Sequence, residues 1–320
     1  MSEKRIGDRE GILLLDKPPG ISSFQALRPA KRAYPGRKIG HAGTLDPAAS
    51  GLLLLGVGSG TRLLEYLEGL PKSYTFLVRL GLTSDTYDME GVTTPSGDGS
   101  PISPGQVEAA LAAFRGPLSQ APPAYSAVKV NGARAYALAR AGETVVLSPR
   151  EVTVHSLEMT AYETDVEGNV SVITLEARCS KGTYVRSLAH DLGAALGCGA
   201  VADRIRRTAI GPFRVEAAVS PDDLAPGKGL LPLEAAVEHL PAVSLDPVFT
   251  PGFLGGRAVP PAGYAALADS TGIAGGPDAP GASPASIQDY RVLDAGGRLL
   301  AIATLSAERM LCPRKVLTRA

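Results

Sequence analysis

In Lys38-Ile-Gly-His41-Ala-Gly-Thr-Leu-Asp46-Pro-Ala-Ala-Ser-Gly51 a carboxylate and an imidazole sit among Gly40, Gly43 and Gly51. Pro47 disfavours helix at Asp46, and the glycines admit backbone conformations that other residues avoid. Asp46 is therefore fixed in a loop ahead of the apolar run Leu52 to Leu55. Such a residue serves either a plain Asp-Pro turn or an acid–base or nucleophilic carboxylate. His41 has no second histidine at metal-ligand spacing, which leaves a hydrogen-bonded side chain or a base. In Cys179-Ser-Lys181-Gly-Thr-Tyr184-Val-Arg186 a strand ends, Gly182 turns, and a helix begins with Leu188 and Leu192 facing inward. Tyr184 and Arg186 then stand at a strand-to-helix junction, where the arginine can grip a carboxylate through two parallel bonds or lie on the helix surface. Cys179 lacks a matching His and Asn, so it reads as a buried structural thiol rather than a nucleophile. A third window, Lys72-Ser-Tyr74, leads into a strand, and its ring suits either stacking on a base or packing on the sheet. Asp85, Asp88 and Glu90 follow it without the glycine and terminal glutamate of a calcium loop, so that reading is rejected.

Gly11 to Lys17, stopped by Pro18, Pro19 and Gly20, reads as a buried strand and a turn. Ser103, Pro104 and Gln106 open a helix carrying Val107, Leu111 and Phe114, which Gly116-Pro117 ends. Thr75 to Leu80, Val152 to Tyr162 and Val170 to Arg178 alternate as strands. Strands and helices mix without a βαβ rhythm, so the expected class is α+β with a mixed sheet. Tyr290 to Ala303 reads as a hairpin around Asp294 to Gly297, and the Gly- and Pro-rich Thr271 to Pro284 as a loop or linker. With 320 residues the chain has room for two domains, divided by proline content near Pro241 to Pro251.

A content of 44% hydrophobic and 20% charged residues excludes wholesale disorder. The charged opening MSEKRIGDRE, with no long apolar segment behind it, argues against export and membrane insertion. Three unpatterned cysteines spell neither a disulfide framework nor a zinc knuckle, and a reducing cytosol is expected. Zero net charge argues against a blanket nucleic-acid binder. The basic residues nevertheless bunch: Arg28, Lys31, Arg32, Arg37 and Lys38 in one cluster, and Lys181, Arg186, Arg204, Arg206, Arg207 and Arg214 in another. Each is either a local phosphate-binding surface or a solvated face.

Taken in order over residues 11–215, these windows resemble the bacterial tRNA pseudouridine synthase B family. The resemblance also draws on Leu80 to Gly91 and on Pro122-Pro-Ala-Tyr-Ser-Ala-Val-Lys129 with Gly132 and Tyr136. Ala42 stands where a threonine is frequent, and beyond residue 215 the likeness is loose, through Arg291 to Leu317. The resemblance implies a pseudouridine synthase catalytic domain over residues 1–245 and a small β-rich, PUA-like RNA-binding module over 246–320. It further implies isomerisation of the T-loop uridine at position 55 of tRNA in the cytoplasm. Neither cofactor nor metal is expected, nor guide RNA, protein subunit or membrane, and the chain is expected to be a monomer. By the same resemblance Asp46 is the essential aspartate, Tyr74 the tyrosine stacking on the target base, and Arg186 the arginine that pairs with Asp46. His41, Tyr184, Ile205, Lys17 and Lys181 are the substrate-binding set. Two other classes stay open at this stage. One is a non-catalytic RNA-binding module, which would need none of Asp46, Tyr74 and Arg186 together. The other is a nucleoside or glycosyl hydrolase, which would want a second carboxylate. A guide-RNA-dependent synthase is a variant within the favoured class.

Overall fold

The computed structural model describes residues 10–130, 132–267 and 288–317. Gly11–Lys17 and Ser50–Val57 pair antiparallel, from Gly11 opposite Val57 to Lys17 opposite Gly51. Successive side chains on a strand face opposite sides of the sheet. Leu13, Leu15, Leu53 and Leu55 pack with helix Ser23–Ala33, whereas Ile12, Leu14, Leu52 and Leu54 pack on the other face with Leu299 and Ile302. Burial on both faces explains leucine runs with no polar alternation.

The large sheet continues in the order Leu230–Leu231, Gly11–Lys17, Ser50–Val57, Ala200–Ile210, Lys72–Leu80, Val170–Cys179, Arg150–Thr164, Gly116–Gln120. Its pairings are antiparallel except between Ser50–Val57 and Ala200–Ile210, so the sheet is mixed and the class α+β. That parallel contact is close: a Cβ on Gly51, whose φ is +102°, would lie 2.2 Å from the Arg207 carbonyl oxygen. Helices Pro104–Ala112 and Val185–Leu196 cover the other half of the sheet through Val107, Leu111, Leu188 and Leu192.

Ser103 caps the first of these helices with Gln106 reaching back, as its sequence predicts; the helix closes at Ala113, before Gly116-Pro117. Of the elements not read from the sequence, two are eleven residues long. Ser23–Ala33 contains Pro29, and Ala200–Ile210 carries Arg204, Arg206 and Arg207, which break an apolar pattern.

A second sheet runs Tyr264–Leu267, Ala242–Leu245, Asp289–Leu293, Leu299–Leu305, Leu311–Val316. The expected hairpin is its middle, turned by Gly297 N–H donating to the Asp294 carbonyl. Its strand Ala242–Leu245 lies between Pro241 and Pro247. The stretch Thr271 to Pro284 lies outside the described residues. Leu293, Leu299 and Ile302 join the core beneath Gly11–Lys17, and Arg62 Nη1 donates to the Val316 carbonyl at 2.5 Å.

Candidate active site

Asp46 follows strand Ile39–Ala42 in a loop that is pinned on both sides of it. Ser23 Oγ, buried at the head of its helix, donates to the Leu45 carbonyl at 2.9 Å and accepts from Leu45 N–H at 2.8 Å. On the other side the Pro47 carbonyl accepts from Gly20 N–H at 2.9 Å and from Lys17 Nζ at 3.1 Å. Lys17 is fully buried, and its ammonium also donates to Pro18 and Ile21 carbonyls. Burial lowers its pKa to about 8 against the pull of Asp46. With these three carbonyls as acceptors, Lys17 braces the Asp46 loop from beneath.

Arg186 sits in the first turn of helix Val185–Leu196 with 4% of its side chain exposed. Its Nη2 lies 2.9 Å from Asp46 Oδ2 and donates to the Tyr125 carbonyl at 3.0 Å; its Nη1 lies 3.4 Å from Asp88 Oδ2 and donates to the Thr86 carbonyl at 2.9 Å. One buried cation thus stands between two carboxylates, of which Asp88 is 9% and Asp46 43% exposed. In the sequence Asp88 carries no signal of this role beyond its place in the rejected calcium-loop pattern. Its carboxylate is taken up by Thr86 Oγ1 at 2.5 Å and Glu90 N–H at 3.0 Å as well as by Arg186. No cluster able to hold a metal ion occurs among the described residues.

Tyr74 lies on strand Lys72–Leu80, opposite Ala177 and Arg207 of its neighbours. Burial raises its phenol pKa and Arg207 opposes the shift. Arg207 is buried and donates from Nε to the Leu52 carbonyl at 2.7 Å and from Nη2 to Gly43 at 3.3 Å. It ties the Asp46 loop to the sheet. Tyr184 is the residue just before the Arg186 helix, and the amide of Gln120 brackets its backbone, accepting from its N–H at 2.8 Å and donating to its carbonyl at 3.1 Å. His41 is partly buried, and burial with nearby Arg207 lowers its pKa.

These residues line two joined lobes of one cleft. The first, of about 1010 Å³, carries His41, Asp46, Asp88, Ser126 and Arg186, with exposed Phe24 and Tyr136 at its edge. Lys31 Nζ stands 5.1 Å from the centre of the Phe24 ring, and the Arg140 guanidinium 5.7 Å from that of Tyr136. The second, of about 650 Å³, shares His41, Asp46 and Arg186 and adds Tyr74, Lys181, Tyr184 and Ile205. Of the eight residues singled out by the sequence, the structure gathers all but Lys17.

The basic clusters fare differently. Arg28, Lys31, Arg32 and Lys38 are exposed, the first three on the solvent side of their helix, while Arg37 pairs with Glu10 at 2.9 Å. In the second cluster Arg186 and Arg207 are buried and Arg206 pairs with Asp16 at 2.7 Å, which leaves Lys181, Arg204 and Arg214 to solvent. That cluster is therefore not one phosphate-binding surface.

The sequence model of the TruB family pseudouridylate synthase N-terminal domain matches residues 31–185, and that of the tRNA pseudouridylate synthase B C-terminal domain matches 186–238. A tRNA pseudouridine synthase B from Burkholderia mallei is 41% identical over 96% of both chains. The chain belongs to the TruB family. Another TruB relative, from Cutibacterium acnes, is 49% identical over 66% of this chain and 70% of its own. Among solved structures, a Cbf5-Nop10-Gar1 complex aligns with a TM-score of 0.72 at 25% identity, covering 97% of this chain and 85% of that one. An H/ACA ribonucleoprotein bound to a substrate RNA containing 2'-deoxyuridine aligns at 0.70 with 22% identity, covering 96% and 85%, a likeness of fold. TruB membership makes the chain an isomerase, and both family domains meet at the Tyr184–Arg186 junction where the cleft is built.

Proposed function

We propose that this TruB protein isomerises the T-loop uridine of tRNA, position 55, to pseudouridine, with Asp46 as the essential carboxylate. The observation that carries the reading is the asymmetry of the central ion pair. Arg186 is sealed at 4% exposure by its oxygen partners, while Asp46, whose neighbours on either side are pinned, keeps 43% exposure toward the cleft. A carboxylate held this way is fixed in place and still reachable.

In the reaction the N1–C1′ bond breaks, the uracil turns, C5 bonds to C1′ and gives up its proton, and N1 takes one up. Atoms and charge balance within the nucleotide. Asp46 acts at C1′ as nucleophile or removes a proton as base. Reaching C1′ requires the uridine to leave its stack, at a cost of about a few kcal/mol. Tyr74 offers a ring face and Ile205 an apolar wall to offset it, and Tyr184 closes the same lobe. His41, in both lobes, contacts displaced nucleotides, and exposed Arg28, Lys31, Arg32 and Lys181 take the RNA backbone. On this reading the protein acts in the cytoplasm as a monomer without guide RNA or protein subunits, and residues 246–320 serve as its RNA-binding module.

The test is mass mapping of pseudouridine in an unmodified tRNA transcript incubated with the purified chain. Modification at position 55 is expected with wild type and none with Asp46→Asn, whose tRNA affinity should stay within about tenfold because many phosphate contacts carry binding. Turnover by Asp46→Asn, after deamidation is excluded, refutes the role of Asp46. Modification that appears only when a guide RNA or further proteins are added refutes independent action.

A further inference from the structure

Two buried side-chain polar atoms in the cleft have no hydrogen-bond partner among the described residues, His41 Nδ1 and Ser126 Oγ. Ser126 is the sharper case. It is 4% exposed and lines both lobes together with Asp46 and Arg186. Its backbone is fully used: its N–H donates to the Ala124 carbonyl and its own carbonyl accepts from Tyr136 N–H, each at 3.0 Å. The preceding carbonyl, that of Tyr125, anchors Arg186. Ser126 is thus held rigidly one residue from the central cation, with a hydroxyl that the protein leaves unsatisfied. Buried polar groups are almost always paired, and an unpaired one in a cleft points to a partner brought by the ligand.

We propose that Ser126 Oγ hydrogen bonds to the Watson–Crick edge of the uracil bound in the cleft, and so helps retain the base while its glycosidic bond is broken. The inference rests on the reading of the site given above. When C5 takes the place of N1, the ring turns about the line through N3 and C6. N3–H returns to its position and O2 and O4 exchange, so the acceptor–donor–acceptor pattern of the edge is the same before and after. A serine hydroxyl both donates and accepts, and can therefore form the same contact with uridine and with pseudouridine. Tyr74 and the Ile205 side chain supply a ring face and an apolar wall beside it.

The experiment compares wild type, Ser126→Ala and Ser126→Thr on a T-arm stem-loop carrying uridine or N3-methyluridine at the target. Because alanine removes an unsatisfied buried hydroxyl, Ser126→Ala should melt at the wild-type temperature or above. Its kcat/KM on uridine should fall about tenfold, the scale of one lost hydrogen bond. Its preference for uridine over N3-methyluridine should shrink, while Ser126→Thr, which keeps the hydroxyl, should recover most of the activity. A lowered melting temperature in Ser126→Ala, an unchanged kcat/KM, an unchanged preference, or a threonine variant no better than alanine would each overturn the contact. A wild-type chain that forms no pseudouridine fails the parent reading, and the contact falls with it.

Discussion

Replacing Arg186 by lysine tests the centre of the site because the guanidinium serves four separated oxygens: Asp46 Oδ2, Asp88 Oδ2 and the carbonyls of Thr86 and Tyr125. A lysine ammonium is a point charge and cannot span that set. The two carboxylates are not equivalent. Asp46 is 43% exposed, so its share of the ion pair is screened by solvent, whereas Asp88 is 9% exposed and, without the guanidinium, keeps only the Thr86 hydroxyl and the Glu90 N–H against its charge. Breaking a buried pair costs about 3–5 kcal/mol, a large part of the roughly 5–15 kcal/mol that holds a domain folded. Arg186→Lys keeps the charge and should lose about half of that cost; Arg186→Met should lose most of it. Adding Asp88→Asn to Arg186→Met removes the stranded charge and should restore stability by about 1–3 kcal/mol without restoring turnover, since Asp46 stays without its partner. Urea denaturation reads the first quantity and single-turnover pseudouridine formation the second. Arg186→Met as stable as wild type, or a double variant that regains activity along with stability, would refute the division of labour between the two carboxylates.

Tyr74→Ala should weaken positioning of the base by about 1–3 kcal/mol, a ten- to hundredfold fall in kcat/KM, while Tyr74→Phe keeps the ring and loses turnover only if the hydroxyl moves a proton; an alanine variant equal to wild type makes Tyr74 a packing residue. Burial pushes the Cys179 thiol up to about 11, which leaves about one part in a thousand as thiolate at pH 8, so iodoacetamide should label Cys198 and Cys312 first in the native protein; equal rates by peptide mapping would contradict that. Lys72, whose Nζ donates to Glu68 and Leu70 carbonyls, has its pKa lowered by burial from 10.5 to about 8. Between those values the unfolded chain binds the proton and the folded one does not, so wild-type stability should rise with pH relative to Lys72→Met, by at most about 3 kcal/mol from pH 8 to 10.5; a flat difference would remove the buried ammonium.

What the sequence showed of the site was its chemistry-bearing types, because Asp46 between glycines and proline, and Arg186 after a turn, carry local signals. What it hid was the partners that fix them. Ser23, Asp88, Gln120 and Arg207 are ordinary polar residues whose roles exist only across the fold; Gln120 lies 64 positions from Tyr184 and Arg207 lies 155 from Leu52. Helix Ser23–Ala33 did announce itself, since Ser22 and Gln25 repeat the capping box that located the helix after Ser103, but Pro29 and a surface of Arg28, Lys31 and Arg32 masked it. Lys17 shows the same limit: its motif marks a lysine near the site, and only the fold shows its complete burial with three carbonyl acceptors.

Several of these side chains stand where local preference would not put them, and the departures converge on Arg186. A cation in the first turn of a helix opposes the dipole, at a cost of about 0.3–1 kcal/mol, which two carboxylates outweigh. One of those carboxylates and one of the carbonyls that hold Arg186 belong to Asp88 and Thr86, on either side of Tyr87. Tyr87 has a φ of +62°, a left-handed conformation costing about 1–2 kcal/mol for a residue with a Cβ. Its ring stacks on His190 at 3.9 Å and 9° between planes, and its carbonyl accepts from Ala202 N–H, contacts of the size needed to offset that strain. His190 lies on the same helix as Arg186, one turn further along. The stack therefore clamps the strained loop to the helix it serves, and the turn at Tyr87 is what lets Thr86 and Asp88 face the guanidinium together. Strain in the loop, charge at the wrong end of a helix and a half-exposed aspartate are thus parts of one arrangement, in which the fold holds Arg186 still so that Asp46 remains both fixed and open to the cleft.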